Sequence, residues 1–307
     1  MPVVGITESN DPRLACFRGL RDGVLRDHGG VPTSRGQPGG PPLFVAESEE
    51  VIRRAALLGY RLITVLCDRA AADRLVNVLD PKVDVLVAPA ATISGVSGLG
   101  VHRGALALVE RPAATTMATV MATARRVVML EGVTNPVNVG LIARSATALG
   151  CDALILDEHS ADPLYRRAVR ASMGATLALT WVRVVAPSTA VSVVEELRSV
   201  GFCTVALTLT AEAQPERARR PSEHRSAAEE HSPNVTAGAT TSSVLMADVT
   251  PAARTALVLG SEGTGLTAAV QQACSVRAHI PMQLSAGVDS LNVSAAAAIA
   301  CYALFGT

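Results

Sequence analysis

Apolar positions along this chain follow two rhythms. Short unbroken apolar runs, bounded by turn-forming residues, alternate with longer stretches where apolar residues recur every three or four positions. The first pattern reads as buried strands and the second as helices. Over the first 110 residues this predicts strands at 43–46, 61–67, 83–87 and 106–109. Helices are predicted at 12–27 and 48–58, the second opening on Glu49 and Glu50, where the helix dipole favours acids. The stretch from Arg111 to Thr116 reads as a linker. Beyond it the alternation restarts, with strands predicted at 127–130, 153–156, 181–185, 203–207, 255–259 and 277–280. Helices are predicted between them at 139–149, 164–172, 189–200 and 267–274, and a last one at 291–305. Strands separated by helices imply an α/β fold with a mainly parallel sheet covered on both faces.

Residues 211–243 break the rhythm. They are rich in Glu, Arg, Ser, Thr and Pro and nearly free of large apolar side chains. Such a stretch buries too little surface to offset its ordering entropy, so it is expected to be a flexible insertion.

Composition narrows the function classes. With 307 residues the chain has room for one or two domains. Apolar residues make up 49% but aromatics only 3%, so Ala, Val and Leu build the core. No run reaches the ~20 apolar residues of a membrane span, and no basic-then-apolar leader opens the chain. The six cysteines and six histidines are scattered without ligand spacing. That predicts reduced thiols, a cytoplasmic location, no metal and no membrane partner. The formal net charge is zero and does not by itself advertise nucleic-acid binding.

Three constellations carry candidate chemistry, each at a predicted strand-to-helix junction. The first is Asn135-Pro136-Val137-Asn138-Val139-Gly140 through Arg144 and Ala146, where Asn138 is read as a helix N-cap. Arg144 lies on the helix face opposite Ile142 and points away from the core. The second is Gly260-Ser261-Glu262-Gly263-Thr264-Gly265, whose glycines let a backbone approach a ligand closely. It lacks the G-x-G-x-x-G order and the P-loop lysine, which disfavours dinucleotide oxidoreductases and nucleotide triphosphatases. The third runs from Ile280-Pro281-Met282 to Ser290-Leu291-Asn292-Val293-Ser294 and opens an unusually apolar final helix. There Ser290 or Asp289 can cap the helix. Taken singly, each has a plain structural reading as a turn or a capped helix.

In this order and context, the three stretches resemble the motifs of the SpoU (TrmH) family of RNA ribose 2′-O-methyltransferases, of the SPOUT superfamily. Arg170-Ala171-Ser172-Met173-Gly174-Ala175 matches that family as well. The resemblance covers residues 126–307 strongly. More loosely, Phe44-Val45-Ala46-Glu47 and His102-Arg103-Gly104-Ala105-Leu106-Ala107 resemble a ribosomal-protein-like RNA-binding domain. The resemblance implies an N-terminal α/β RNA-binding domain at 1–112 and a methyltransferase domain at 113–307 with a deep trefoil knot. It implies S-adenosylmethionine as methyl donor, held by Leu259, Gly260, Ser261, Gly263, Ile280, Met282 and Leu291. Arg144, Asn138, Glu262, Ser290 and Asn292 match the family's catalytic positions, with Glu262 read as holding Arg144. The implied substrate is RNA, ribosomal in preference to transfer RNA, and the implied assembly is a homodimer whose active sites involve both subunits. A non-catalytic RNA-binding protein on the same fold is the rival class.

Overall fold

The computed structural model describes residues 3–27, 41–97, 104–209, 243–283 and 290–306. The expected flexible insertion therefore lies outside the described residues, apart from Ser243, as do His102, Arg103 and Asp289.

Two sheets organise the chain. The first contains β1 (Val3–Gly5), β2 (Leu43–Glu47), β3 (Leu62–Cys67), β4 (Asp84–Val87) and β5 (Ala105–Glu110), in the order β1-β4-β3-β5-β2. β5 runs antiparallel to both of its neighbours, and the other pairings are parallel. The pairing of β2 with β5 sets Ala46 against Ala107, so the two N-terminal stretches of family likeness lie side by side. Helices α1 (Asp22–Asp27), α2 (Glu49–Leu57), α3 (Arg69–Leu75) and α4 (Ala90–Ser97) accompany this sheet. Ser48 caps α2 by accepting from the Val51 amide, with Glu49 and Glu50 in the first turn. The single helix expected over 12–27 is instead a 3-10 turn at Pro12–Phe17 and the separate α1. Gly19, at φ +63°, takes the chain out of helical geometry between them.

The second sheet has seven strands, all paired in parallel: β6 (Arg126–Leu130), β7 (Ala153–Leu156), β8 (Thr180–Arg183), β9 (Cys203–Thr208), β10 (Val244–Leu245), β11 (Thr255–Leu259) and β12 (Val276–His279). The order is β10-β12-β9-β11-β6-β7-β8. The helices are α5 (Met117–Thr123), α6 (Pro136–Ala148), α7 (Arg166–Ala171), α8 (Ala175–Ala178), α9 (Ala190–Ser199), α10 (Ala268–Ala273) and α11 (Val293–Phe305). Side chains alternate along each strand, as the pleat requires. Val128, Leu130, Leu257 and Leu259 pack with α6 and α11 on one face. Val127, Met129, Ala256 and Val258 pack with α5, α9 and α10 on the other. The mainly parallel, doubly covered sheet read from the sequence is therefore present.

The final helix is not buried all round, despite its composition. Ala297, Ala300, Cys301 and Leu304 face the core, whereas Ile299 is 45% and Tyr302 69% exposed. Among the described residues no helix is long and apolar enough to cross a membrane. All six cysteines are free thiols, and burial pushes Cys67 and Cys151 up to about 12.

The stretch from Arg111 is anchored rather than a loose tether. Arg111 pairs with Asp162 at 2.6 Å, both nearly buried, and its amide donates to the Pro42 carbonyl. Nearby, Glu47 on β2 is buried and pairs with Arg166 at 2.7 Å and Arg170 at 3.4 Å, both on α7. Arg54 donates to the Met173 carbonyl and Tyr60 to that of Leu177. Leu164, Val169 and Leu177 complete the apolar core of the first sheet. The two sheets thus share a packed, ion-paired seam. Asp162→Ala, which strands Arg111 in that seam, is expected to cost about 3–5 kcal/mol of unfolding free energy. Arg61→Ala at the exposed pair with Glu110 is expected to cost less than about 1 kcal/mol. Chemical denaturation measures both, and equal losses would contradict this reading of the seam.

Candidate active site

The three sequence constellations leave the sheet at its carboxyl edge. Leu130 of β6 sits in register with Leu259 of β11, and the Glu131 amide donates to the Leu259 carbonyl. The first two loops therefore start side by side. β12 lies two strands from β11, across β9, and sends the third loop back to the same edge. Open parallel sheets bind ligands at such an edge.

The first loop ends in α6. Asn135, not Asn138, is its cap: Asn135 Oδ1 accepts from the Val137 amide at 3.0 Å, and Pro136 takes the first helical position. Asn138 therefore sits inside the first turn, only 4% exposed, with its side chain free for another task. Gly140 lies against the Ala168 carbonyl of α7, where a Cβ would collide with backbone.

The second loop is a closed turn. A Cβ on Gly260 would overlap the Gly265–Leu266 backbone, and Gly265 itself needs φ +72°. The Gly265 amide donates to the Ser261 carbonyl at 3.1 Å, and the Ser261 and Thr264 hydroxyls share a 2.9 Å bond. The far end is tied down by Glu131, which accepts from both the amide (2.9 Å) and the hydroxyl (2.8 Å) of Thr267. Glu131 belongs to none of the three sequence constellations. An acid just after a strand is visible, but nothing local to it names a partner 136 residues away.

The third loop ends in α11, whose cap is Asn292 and not Asp289 or Ser290. Asn292 Oδ1 accepts from the Ser294 amide at 2.9 Å and from its hydroxyl at 2.5 Å. The amide end of the same side chain reaches outward. Asn292 Nδ2 donates to Asn138 Oδ1 at 3.3 Å and to Glu262 Oε1. One side chain thus joins all three constellations.

Beside this triad lies a cavity of about 410 Å³, within the range of small-molecule sites. Leu259, Gly260, Ser261, Ile280, Met282 and Leu291 line it, as do Glu262 and Ser290. Gly263 belongs to the same turn but is not part of the lining. The end of β9 adds Leu207 and Thr208, and α10 adds Gln271, positions that carried no sequence signal. The walls are mostly apolar, with backbone and a few polar groups on one side.

Arg144 is placed apart. It is exposed on α6, six residues beyond Asn138, about 9 Å along the helix axis. It is not in the cavity lining and makes no hydrogen bond or ion pair among the described residues. The expected Glu262–Arg144 contact is therefore not made: Glu262 is bonded to Asn292 instead.

A parallel α/β sheet, a cavity at its carboxyl edge and a polar triad beside that cavity have the geometry of a small-ligand site. Comparison with known proteins specifies it. Residues 125–302 match the SpoU rRNA Methylase family, and the chain belongs to that family of RNA methyltransferases. An uncharacterized tRNA/rRNA methyltransferase of Mycobacterium tuberculosis is 33% identical over 98% of this chain and 91% of its own length. The 23S rRNA (guanosine(2553)-2′-O)-methyltransferase RlmP of Bacillus subtilis is 27% identical, over 61% of this chain and 60% of its own. Among solved structures, the SpoU methyltransferase AviRb from Streptomyces viridochromogenes superposes with a TM-score of 0.65 at 25% identity, covering 95% of this chain and 94% of its own. AviRb has also been solved with its cofactor AdoMet.

Asn292 can be split into its two duties. Asn292→Ala removes the cap and is expected to cost roughly 1 kcal/mol of stability, whereas Asn292→Ser keeps a good cap and stays within a few tenths. Ser is too short to reach Asn138 and Glu262, so this variant isolates the triad. Denaturation of the two variants checks this, and an equal loss in both would mean that the cap is not Asn292's main stabilising role.

Proposed function

We propose that this protein transfers a methyl group from S-adenosylmethionine to a ribose 2′-hydroxyl of RNA, with ribosomal RNA as the substrate and transfer RNA as the runner-up. The observation that carries this reading is the Asn138–Asn292–Glu262 triad at the edge of a cavity of cofactor size. The fit to the cofactor rests on the cavity itself. Apolar walls from Leu259, Ile280 and Leu291 suit an adenosine, and the glycine turn at 260–265 lets backbone groups come close. Leu259, Gly260, Ser261, Ile280, Met282 and Leu291 would hold it, with Gly263 shaping the turn. AviRb's complex with AdoMet supports the same assignment. RlmP's activity on a 23S ribose supports the substrate class.

When bound, the cofactor supplies an activated methyl on a sulfonium, whose departure as a neutral thioether needs no metal. The protein's task is then alignment. Asn138 can fix the ribose through its amide nitrogen, with Asn292 holding the Asn138 side chain in place, and Ser290 can orient the hydroxyl from the cavity side. Arg144 is a poor base, since a guanidinium carries N–H donors and no acceptor. Its role is to clamp the RNA phosphate beside the reacting hydroxyl. Unpaired RNA is the form that presents a ribose to such a site.

Further parts of the reading rest on named features. Ile299 and Tyr302 of α11, and Val137 on the helix it packs against, are exposed apolar groups that suit contact with a second copy of the chain. In such a homodimer the outward Arg144 would serve the partner's cavity, which accounts for its distance from its own. The C-terminal stretch, whose α11 packs against α6, is assigned a trefoil knot on the family resemblance. Residues 1–112, with their own sheet, are assigned to RNA binding and 113–307 to catalysis. The six free thiols suit the cytoplasm.

Arg144→Ala is expected to abolish methyl transfer to RNA, at least ~100-fold as for loss of one positioned charged donor, while S-adenosylmethionine binding by calorimetry is unchanged. Near-normal turnover would sink the assigned role. Mapping ribose methylation in ribosomal and transfer RNA, with and without the gene, tests the substrate. Loss of one ribosomal 2′-O-methyl group is expected. Loss confined to transfer RNA would move the assignment to the runner-up, and a methyl group lost from a base would overturn the reaction.

A further inference from the structure

Glu262 is the one charged side chain among the described residues that line the cavity. It is also the one member of the Asn138–Asn292–Glu262 triad that lines it. Its carboxylate is not left to swing freely. Asn292 donates to Oε1 and is itself fixed as the cap of α11, while the turn beneath is closed by Ser261, Thr264 and Gly265. A fixed negative charge thus stands where the cavity meets the polar triad.

This matters because methyl transfer changes the charge of what the cavity holds. A sulfonium donor gives its methyl to a hydroxyl: the carbon–sulfur bond breaks and its electron pair stays on sulfur. A carbon–oxygen bond forms, and the hydroxyl proton leaves to solvent. The donor is a cation at sulfur and the product a neutral thioether of nearly the same shape. Apolar walls cannot tell the two apart, since they differ by one methyl group, but a carboxylate can. Resting on the methyl-transfer reading, we infer that Glu262 is a specificity-determining residue that selects the charged donor over the spent thioether. It thereby keeps the product from occupying the site.

The test is calorimetry on the full-length protein with three probes: S-adenosylmethionine, S-adenosylhomocysteine and sinefungin, whose amine places a positive charge where the methyl sulfonium would be. Glu262→Gln keeps the shape and an acceptor for Asn292 but removes the charge. It is expected to weaken the two cationic probes roughly tenfold and the thioether by less than about twofold, as fits a charge contact in a partly wet site. Glu262→Asp, which keeps the charge, is expected to preserve most of the preference. Independently of any variant, the wild-type preference for donor over thioether should shrink as salt is raised, because Glu262 is exposed to screening. Equal weakening of all three probes would reduce Glu262 to a structural support and overturn the inference. So would a donor preference that ignores salt. Failure of the wild type to bind any of the probes would instead overturn the methyl-transfer reading beneath it.

Discussion

The side chain of Asn292 is the joint on which the site depends. Its carbonyl end satisfies the Ser294 amide in the first turn of α11, a group with no partner inside the helix. Its amide end holds Asn138 and Glu262, which belong to chain segments 154 and 30 residues away. A helix cap needs only an acceptor, and Ser or Asp would serve. The second duty requires a donor on the same side chain, and asparagine supplies both. The parallel sheet makes this possible by delivering all three loops to one edge.

Around that joint the backbone is constrained rather than adaptable. Gly260 allows the turn to fold onto Gly265–Leu266, and Glu131 ties the turn's end to the neighbouring strand. Gly140 lets α6 lie against α7. A methyl transfer driven mainly by alignment needs such a frame, because misplacement by an ångström lowers the rate steeply. The seam between the sheets extends the frame. Glu47 with Arg166 on α7, and Arg111 with Asp162 in the loop before it, hold the first sheet against the second unit through buried charge pairs. The first sheet therefore stands at a set distance from the site.

Much of this was legible in the residues. Six of the seven strands of the second sheet, its parallel character and the order of the three constellations follow from apolar runs and turn residues; β10, two residues long and next to the polar insertion, has too short an apolar run to show. The misses have physical causes. Asn135 and Asn138 are both good caps by type, and only Pro136 at the first helical position favours the earlier one. The helix expected over 12–27 ignored the backbone freedom of Gly19. A Pro-Ala-Thr stretch after Arg111 looks like a tether because its anchor, Asp162, is 51 residues on. The same holds for Glu131 and Thr267. Local pattern shows which residues carry chemistry, but not which distant group each will meet.

A crystal structure of the full chain with S-adenosylmethionine tests the account most directly. The cofactor is expected in the cavity between Leu259, Ile280 and Leu291, with its transferable methyl turned toward Asn138, Asn292 and Glu262. A cofactor bound elsewhere on the molecule, or lodged in the cavity with the methyl turned away from that triad, would contradict it.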